Sequence, residues 1–240
     1  MDFTQQLVEA IGAWQNGWRE NQERREALAI ALMKETADLP DRFKTVSGPC
    51  YRKRFIHKGE LAQIVLANER NEGLVSWTTD QVFAERFKNR YREGAVSGAI
   101  FRHTPAASEV VVNIPALWGS AEFVAAADQY RNANGRYAKA LFNFADTQGE
   151  VVLSAPLKGS EIIALTGASS PFDDLCDQAG IDDEQERGRI FKILADRGEY
   201  PGEHRFIGEA ASQRVIQKTI EKIQNLIQAA MDGTLNATDA

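Results

Sequence analysis

Gln148-Gly149-Glu150-Val151-Val152-Leu153 joins a glycine-containing turn to a short apolar strand through a single glutamate. The Val-Val-Leu run favours a buried strand. A charged group is rarely set against such a strand without a partner, so Glu150 is a candidate functional residue. Gln148 and Glu150 lie two apart and face the same side under the two-residue strand period. A hairpin turn with polar punctuation is the plainer reading of the same residues.

Working outward, Leu74-Val75-Ser76-Trp77-Thr78-Thr79-Asp80 reads as a strand that places Ser76 and Thr78 on one face. Thr79 or Asp80 then caps a helix containing Phe83 and Phe87, whose spacing of four suits core packing. Further upstream, Cys50-Tyr51-Arg52-Lys53-Arg54-Phe55-Ile56-His57-Lys58 is a strand with basic residues and no acid. It suits an anion such as a pyrophosphate, or an edge strand with its arginines in solvent. Strands are expected over 50–57, 74–78, 97–103, 109–114, 150–153 and 161–165, from their Val, Ile and Phe content and the turn residues between them. Helices are expected over 58–71, 79–91 and 120–140. This mixture lacks regular β-α alternation and predicts an α+β fold rather than a doubly wound sheet.

Both ends read as helical. Phe3, Leu7, Ile11, Trp14 and Trp18 recur at helical spacing. Asp2 is a candidate N-cap, and Asp38-Leu39-Pro40 ends a long helix or a helical pair. The tail carries Ile216, Ile220, Ile223, Ile227 and Ala230 on one stripe. Between Asp173 and Glu186 the chain is acidic, without the glycine and alternating spacing of a calcium loop, and reads as a solvated helix start. With no evident linker, residues 1–240 are expected to form a single domain: a helical region over 1–44, a core over 45–165 and a helical region over 166–240.

The charge balance is 28 basic residues against 34 acidic, a net of -6, which excludes indiscriminate polyanion coating and polybasic membrane attachment. Two cysteines, Cys50 and Cys176, are too few for a disulfide framework or a zinc cluster and fit a reducing compartment. The acidic, polar start lacks a signal-peptide pattern, and no window is apolar enough to cross a membrane. A cytoplasmic chain without metal or membrane association is expected.

Taken in order, Arg52, Ser76-Trp77-Thr78 and Gln148-Gly149-Glu150 resemble the mono-ADP-ribosyltransferase superfamily, in the class marked by an arginine, a Ser-x-Ser/Thr strand and a Gln-x-Glu turn. The resemblance covers residues 45 to 165. It implies an ADP-ribosyltransferase-like split mixed or antiparallel sheet with flanking N- and C-terminal helices. It also implies NAD as substrate, with Glu150, Gln148 and Ser76 as catalytic residues. Arg52, Tyr51, Ser76, Trp77, Thr78 and Phe87 would bind NAD. Trp77 stands where the family commonly has a small residue, and Lys53 where a glycine is common.

On this resemblance Glu150 bonds the ribose 2′-hydroxyl and stabilises an oxocarbenium-like transition state, and Ser76 orients it. Arg52 holds phosphate through its planar guanidinium, Thr78 supports the strand or contacts ribose, and an aromatic such as Phe87 stacks on nicotinamide. Gln148 takes no proton at neutral pH, which points away from an arginine acceptor. It points toward a protein side chain or an RNA or DNA base. Lys88, Arg90 and Arg92 extend the basic stretch, and an insertion over 115–144 interleaves Trp118, Tyr130 and Tyr137 with Arg and Asn. These suit nucleic acid; the plainer alternative is a helix covering the sheet, with Phe123, Val124 and Leu141 inward. A toxin-like enzyme with a neutralising antitoxin or immunity protein is the expected context. An NAD glycohydrolase and a non-catalytic partner-binding module are the alternatives.

Overall fold

The computed structural model describes residues 3–17, 21–57, 59–87, 95–167, 172, 176–177, 179–197 and 206–232. Among these the order is α1 (Gln5–Asn16), α2 (Gln22–Thr36), β1 (Cys50–His57), α3 (Glu60–Ala67), β2 (Val75–Thr78), α4 (Gln81–Arg86), β3 (Ala95–His103), β4 (Val110–Asn113), α5 (Ile114–Trp118), α6 (Ala121–Asn132), α7 (Ala138–Phe144), β5 (Glu150–Leu153), β6 (Ile162–Gly167), α8 (Glu184–Asp196) and α9 (Glu209–Met231). The fold is α+β with antiparallel strand pairing.

The chain divides into two compact units, interleaved in sequence. The first comprises Met1–Tyr51, Glu72–Phe83 and His103–Ala155, the second Arg52–Asn71, Ala84–Arg102 and Pro156–Ala240. In the first unit the strand order is β4-β5-β2, with Tyr51 of β1 opposite Thr78 of β2. β2 and β5 pair Val75 with Leu153, Ser76 with Val152, Trp77 with Val151 and Thr78 with Glu150. This register puts Ser76, Thr78, Glu150 and Val152 on one face.

Helices complete the first unit. Thr4 caps α1 by accepting a hydrogen bond from the Leu7 N–H at 3.1 Å, and α1 ends at Gly17, whose φ is +76°. Asn21 caps α2 by accepting from the Arg24 N–H at 2.8 Å. The N-terminal stretch is therefore a helical pair, capped by Thr4; Asp2 and Trp18 lie outside the described residues. Leu7, Val8, Ile11 and Trp14 of α1 are buried with Leu117, Phe123 and Leu141 of the later helices and Val152 of β5. Burying side chains such as Leu7 and Ile11 contributes roughly 1.5–3 kcal/mol each. The expected helix over 120–140 is two helices, α6 and α7, broken where Asn134 takes a left-handed φ of 55°. Phe123 and Leu141 point inward as expected, while Val124 is half-buried.

In the second unit β1 continues beyond Arg52 in the order β1-β3-β6. β3 pairs with β6 from Ser97 opposite Gly167 to Phe101 opposite Ile162. α9 buries Ala211, Ser212, Val215 and Ile216. Gln213 Nε2 donates to the Ile162 carbonyl at 2.6 Å, anchoring the helix to β6. The amphipathic tail is thus a helix whose first turns are packed, while Ile227 and Met231 stand exposed. α3 and α4 are shorter than expected. α8 opens with Glu184 and Glu186, the expected acidic start, whereas Asp173 and Asp174 lie outside the described residues.

Candidate functional site

The Glu150 carboxylate is the centre of a buried hydrogen-bond system in the first unit. Gly149 precedes it with a φ of +56°, a conformation that costs glycine little and other residues more. The turn is latched from β2: Thr78 Oγ1 donates to the Gln148 carbonyl at 2.6 Å, and the Thr79 N–H donates to the Gly149 carbonyl at 3.0 Å. Glu150 is thereby delivered to the first position of β5 with 6% of its surface exposed.

Ser76 lies two pairs along β2 from Thr78, on the same face, and its Oγ donates to Glu150 Oε1 at 2.5 Å. Gln15 Nε2 donates to Glu150 Oε2 at 3.1 Å. Trp14 Nε1 donates to Ser76 Oγ at 2.9 Å. Ser76 and Gln15 thus bond different oxygens of the carboxylate. Burial pushes the Glu150 pKa above the ordinary glutamate value, and hydrogen bonds from Ser76, Gln15 and Trp14 oppose that rise. Desolvation disfavours the charged form, whereas donors aimed at the oxygens favour it.

The other expected site residues are Thr78, Gln148, Trp77, Tyr51, Arg52 and Phe87. Thr78 pairs with Glu150 in the strand register. Its hydroxyl also accepts from the Asp80 N–H at 3.0 Å, so the side chain braces the strand and the turn before β5. Gln148 is half-buried just before Gly149, and its carbonyl carries the latch to Thr78. Trp77 takes the opposite strand face: it is 1% exposed and packs against the His103 ring, with centroids 5.7 Å apart. The structure does not bring it to the carboxylate. Tyr51 enters the first unit opposite Thr78.

Arg52 and Phe87 belong to the second unit. Arg52 follows Tyr51 on β1 with its Nε buried, and Phe87 is 40% exposed just beyond α4, a correction to the expectation of core packing. Asp80 caps α4 by accepting from the Val82 N–H at 2.8 Å and the Phe83 N–H at 3.2 Å.

The basic strand is less open than its sequence implies. Arg54 and Arg70 both pair with Glu60, at 3.2 and 2.7 Å, and Lys53 Nζ donates to the Glu85 carbonyl at 3.2 Å. The expected freedom from acid therefore fails in space, because α3 supplies Glu60. Lys88, Arg90 and Arg92 lie outside the described residues. In the insertion, Tyr130 is buried and its hydroxyl accepts from the Tyr137 N–H at 3.1 Å. Trp118 packs edge-on against Phe123 and Phe142, and Arg131 pairs with Asp128 at 2.6 Å. Tyr130 and Trp118 thus have packing roles.

Among the described residues no cluster of His, Cys, Asp or Glu can hold a metal ion, and no helix is long and apolar enough to cross a membrane. Sequence reasoning missed Gln15, and it read Trp14 only as a core residue. Compared with family models, curated proteins and solved structures, the chain shows no match.

Proposed function

We propose that this chain has an ADP-ribosyltransferase-like fold and is an NAD-dependent mono-ADP-ribosyltransferase, toxin-like, acting on a non-arginine acceptor. The observation that carries the reading is the 2.5 Å hydrogen bond from Ser76 to the buried Glu150 carboxylate. It joins two of the motifs on which the family resemblance rests, 74 residues apart in the chain.

In the proposed reaction NAD is a substrate. The bond from ribose C1′ to the nicotinamide nitrogen breaks, and its electron pair stays on that nitrogen, cancelling the pyridinium charge. C1′ becomes electron-poor and the ring oxygen shares the positive charge. A Glu150 lone pair accepts from the ribose 2′-hydroxyl, and its negative charge stabilises the cation. A carboxylate already oriented in a water-poor site does this with little reorganisation. The acceptor's lone pair forms the new bond to C1′, and its proton passes to solvent. Gln148, a donor and acceptor without a transferable proton, orients the acceptor in this reading.

The test is to incubate the chain with NAD labelled in its adenylate half and with protein, RNA and DNA, and to follow label into each fraction. Label in one macromolecular fraction, lost in Glu150→Gln, is the expected result. Free ADP-ribose alone makes the chain a glycohydrolase. No NAD consumption, with Glu150→Gln silent, makes it a binding module. In cells, the reading expects wild type to slow growth and Glu150→Gln to be harmless.

A further inference from the structure

We propose that Trp14 and Gln15, adjacent in the last turn of α1, are positioning residues that hold Ser76 and Glu150 in their working arrangement. This rests on the reading of Glu150 as the carboxylate that faces the ribose.

The direction of every hydrogen bond in the system follows from the chemistry of its donors. An indole nitrogen donates and never accepts. Trp14 Nε1, 2.9 Å from Ser76 Oγ, therefore occupies an acceptor lone pair of that hydroxyl. Ser76 has one proton, and with Trp14 unable to receive it, the proton goes to Glu150 Oε1. Trp14 thus fixes which way the hydroxyl points. Gln15 secures the other oxygen through Nε2. The reverse amide orientation would set Oε1 against a carboxylate oxygen, acceptor to acceptor, so the carboxylate selects the amide's sense. With Ser76 on one oxygen and Gln15 on the other, the carboxylate plane is held at both ends.

α1 sits firmly enough for this role. Trp14 is 2% exposed. The helix approaches α7 closely at Gly12, where a Cβ would come within 3.0 Å of Cβ of Tyr137, the residue before α7, and 3.4 Å of Leu141 Cβ within it. The groups acting on the Glu150 carboxyl are Ser76 from β2 and Trp14 and Gln15 from α1, together with burial itself. None of these neighbours is charged, so loss of one neutral donor is not masked by a nearby ion.

The test uses Gln15→Met, which keeps length and apolar stem, and Trp14→Phe, which keeps a ring without the N–H. Two readouts are taken on the full chain: the pH profile of NAD cleavage, and the Glu150 side-chain carboxyl signal titrated by carbon NMR. Both variants remove a donor that favours the charged form. Their carboxyl midpoints and the acid limbs of kcat are expected to move to higher pH. At a pH on that limb, kcat falls roughly tenfold, the scale of one hydrogen bond to a charged group, while KM for NAD stays within about twofold, as loss of a transition-state interaction requires. A lower Tm with unchanged carboxyl midpoint and pH profile overturns the proposal.

If a variant does not fold, the wild-type Trp14 indole N–H signal serves instead. It is expected to shift as Glu150 titrates, and to lose that response in Ser76→Ala; an indole signal indifferent to the titration overturns the proposal. If wild type consumes no NAD, the proposed function fails. The carboxyl and indole titrations still decide whether α1 supports Glu150.

Discussion

Glu150 combines two opposed pressures. Burial favours its neutral form, and three neutral donors favour its charged form, with burial the larger influence. A carboxyl whose pKa is raised on folding binds its proton more tightly in the native state than in the unfolded chain. Its contribution to stability is therefore fully present below the ordinary glutamate value of 4.5 and is lost as pH rises through the raised native value. Glu150→Gln removes this dependence. The variant is expected to melt above wild type at pH 7, with the difference shrinking toward pH 4.5, as calorimetry across that window would show. The Gln15 amide can turn to present Oε1 to the new side-chain N–H. The importance of Glu150 was legible in the sequence because it opens an apolar strand, and Ser76 because it alternates with Thr78. Gln15 was not legible: its bond to Glu150 spans 135 positions, and no periodicity encodes an amide's tertiary partner. Trp14 was half-legible, since helical spacing reports burial of the ring but not the destination of its N–H.

At the scale of elements, the turn before β5 is the most constrained segment of the site. A Cβ on Gly149 would come within 2.6 Å of Thr79 Oγ1, and the positive φ adds backbone strain. Gly149→Ala is expected to lose about 1–2 kcal/mol from the left-handed conformation alone, and more from the contact. Combining it with Thr79→Ala should restore the contact share and leave the conformational share, as urea unfolding of the two variants would resolve. Equal stability of Gly149→Ala and wild type would remove the strain from the account. The strands were readable close to their ends because Val, Ile and Phe cluster between turn residues. The α6–α7 break escaped notice because apolar residues continue at helical spacing on both sides of Asn132-Ala133-Asn134-Gly135. The left-handed Asn134, a residue type that tolerates that conformation, was the available signal.

Across the whole molecule, the net charge of -6 averages regions of opposite character. The basic strand β1 is itself partly neutralised, because Glu60 engages Arg54 and Arg70; a linear reading that stopped at Lys58 missed it. Stability of the first unit has a built-in reporter in Cys50, which is fully buried and whose thiol is pushed up to about 11 by desolvation. Thiolate is the reactive form, so at pH 8 roughly one thiol in a thousand is reactive. Alkylation of Cys50, followed by peptide mass mapping, is expected to run more than about a hundredfold slower in native than in unfolded protein. Rapid native labelling would contradict the burial of β1's first residue.

Whether Glu150 stabilises a cation formed from NAD, as proposed, is decided by single-turnover release of nicotinamide from NAD by wild type and by Glu150→Gln. Release by wild type is expected, with a rate lower by about 10²–10³ in the variant, the scale of losing one preorganised electrostatic group. Equal rates, or no release by wild type with any acceptor fraction present, would contradict it.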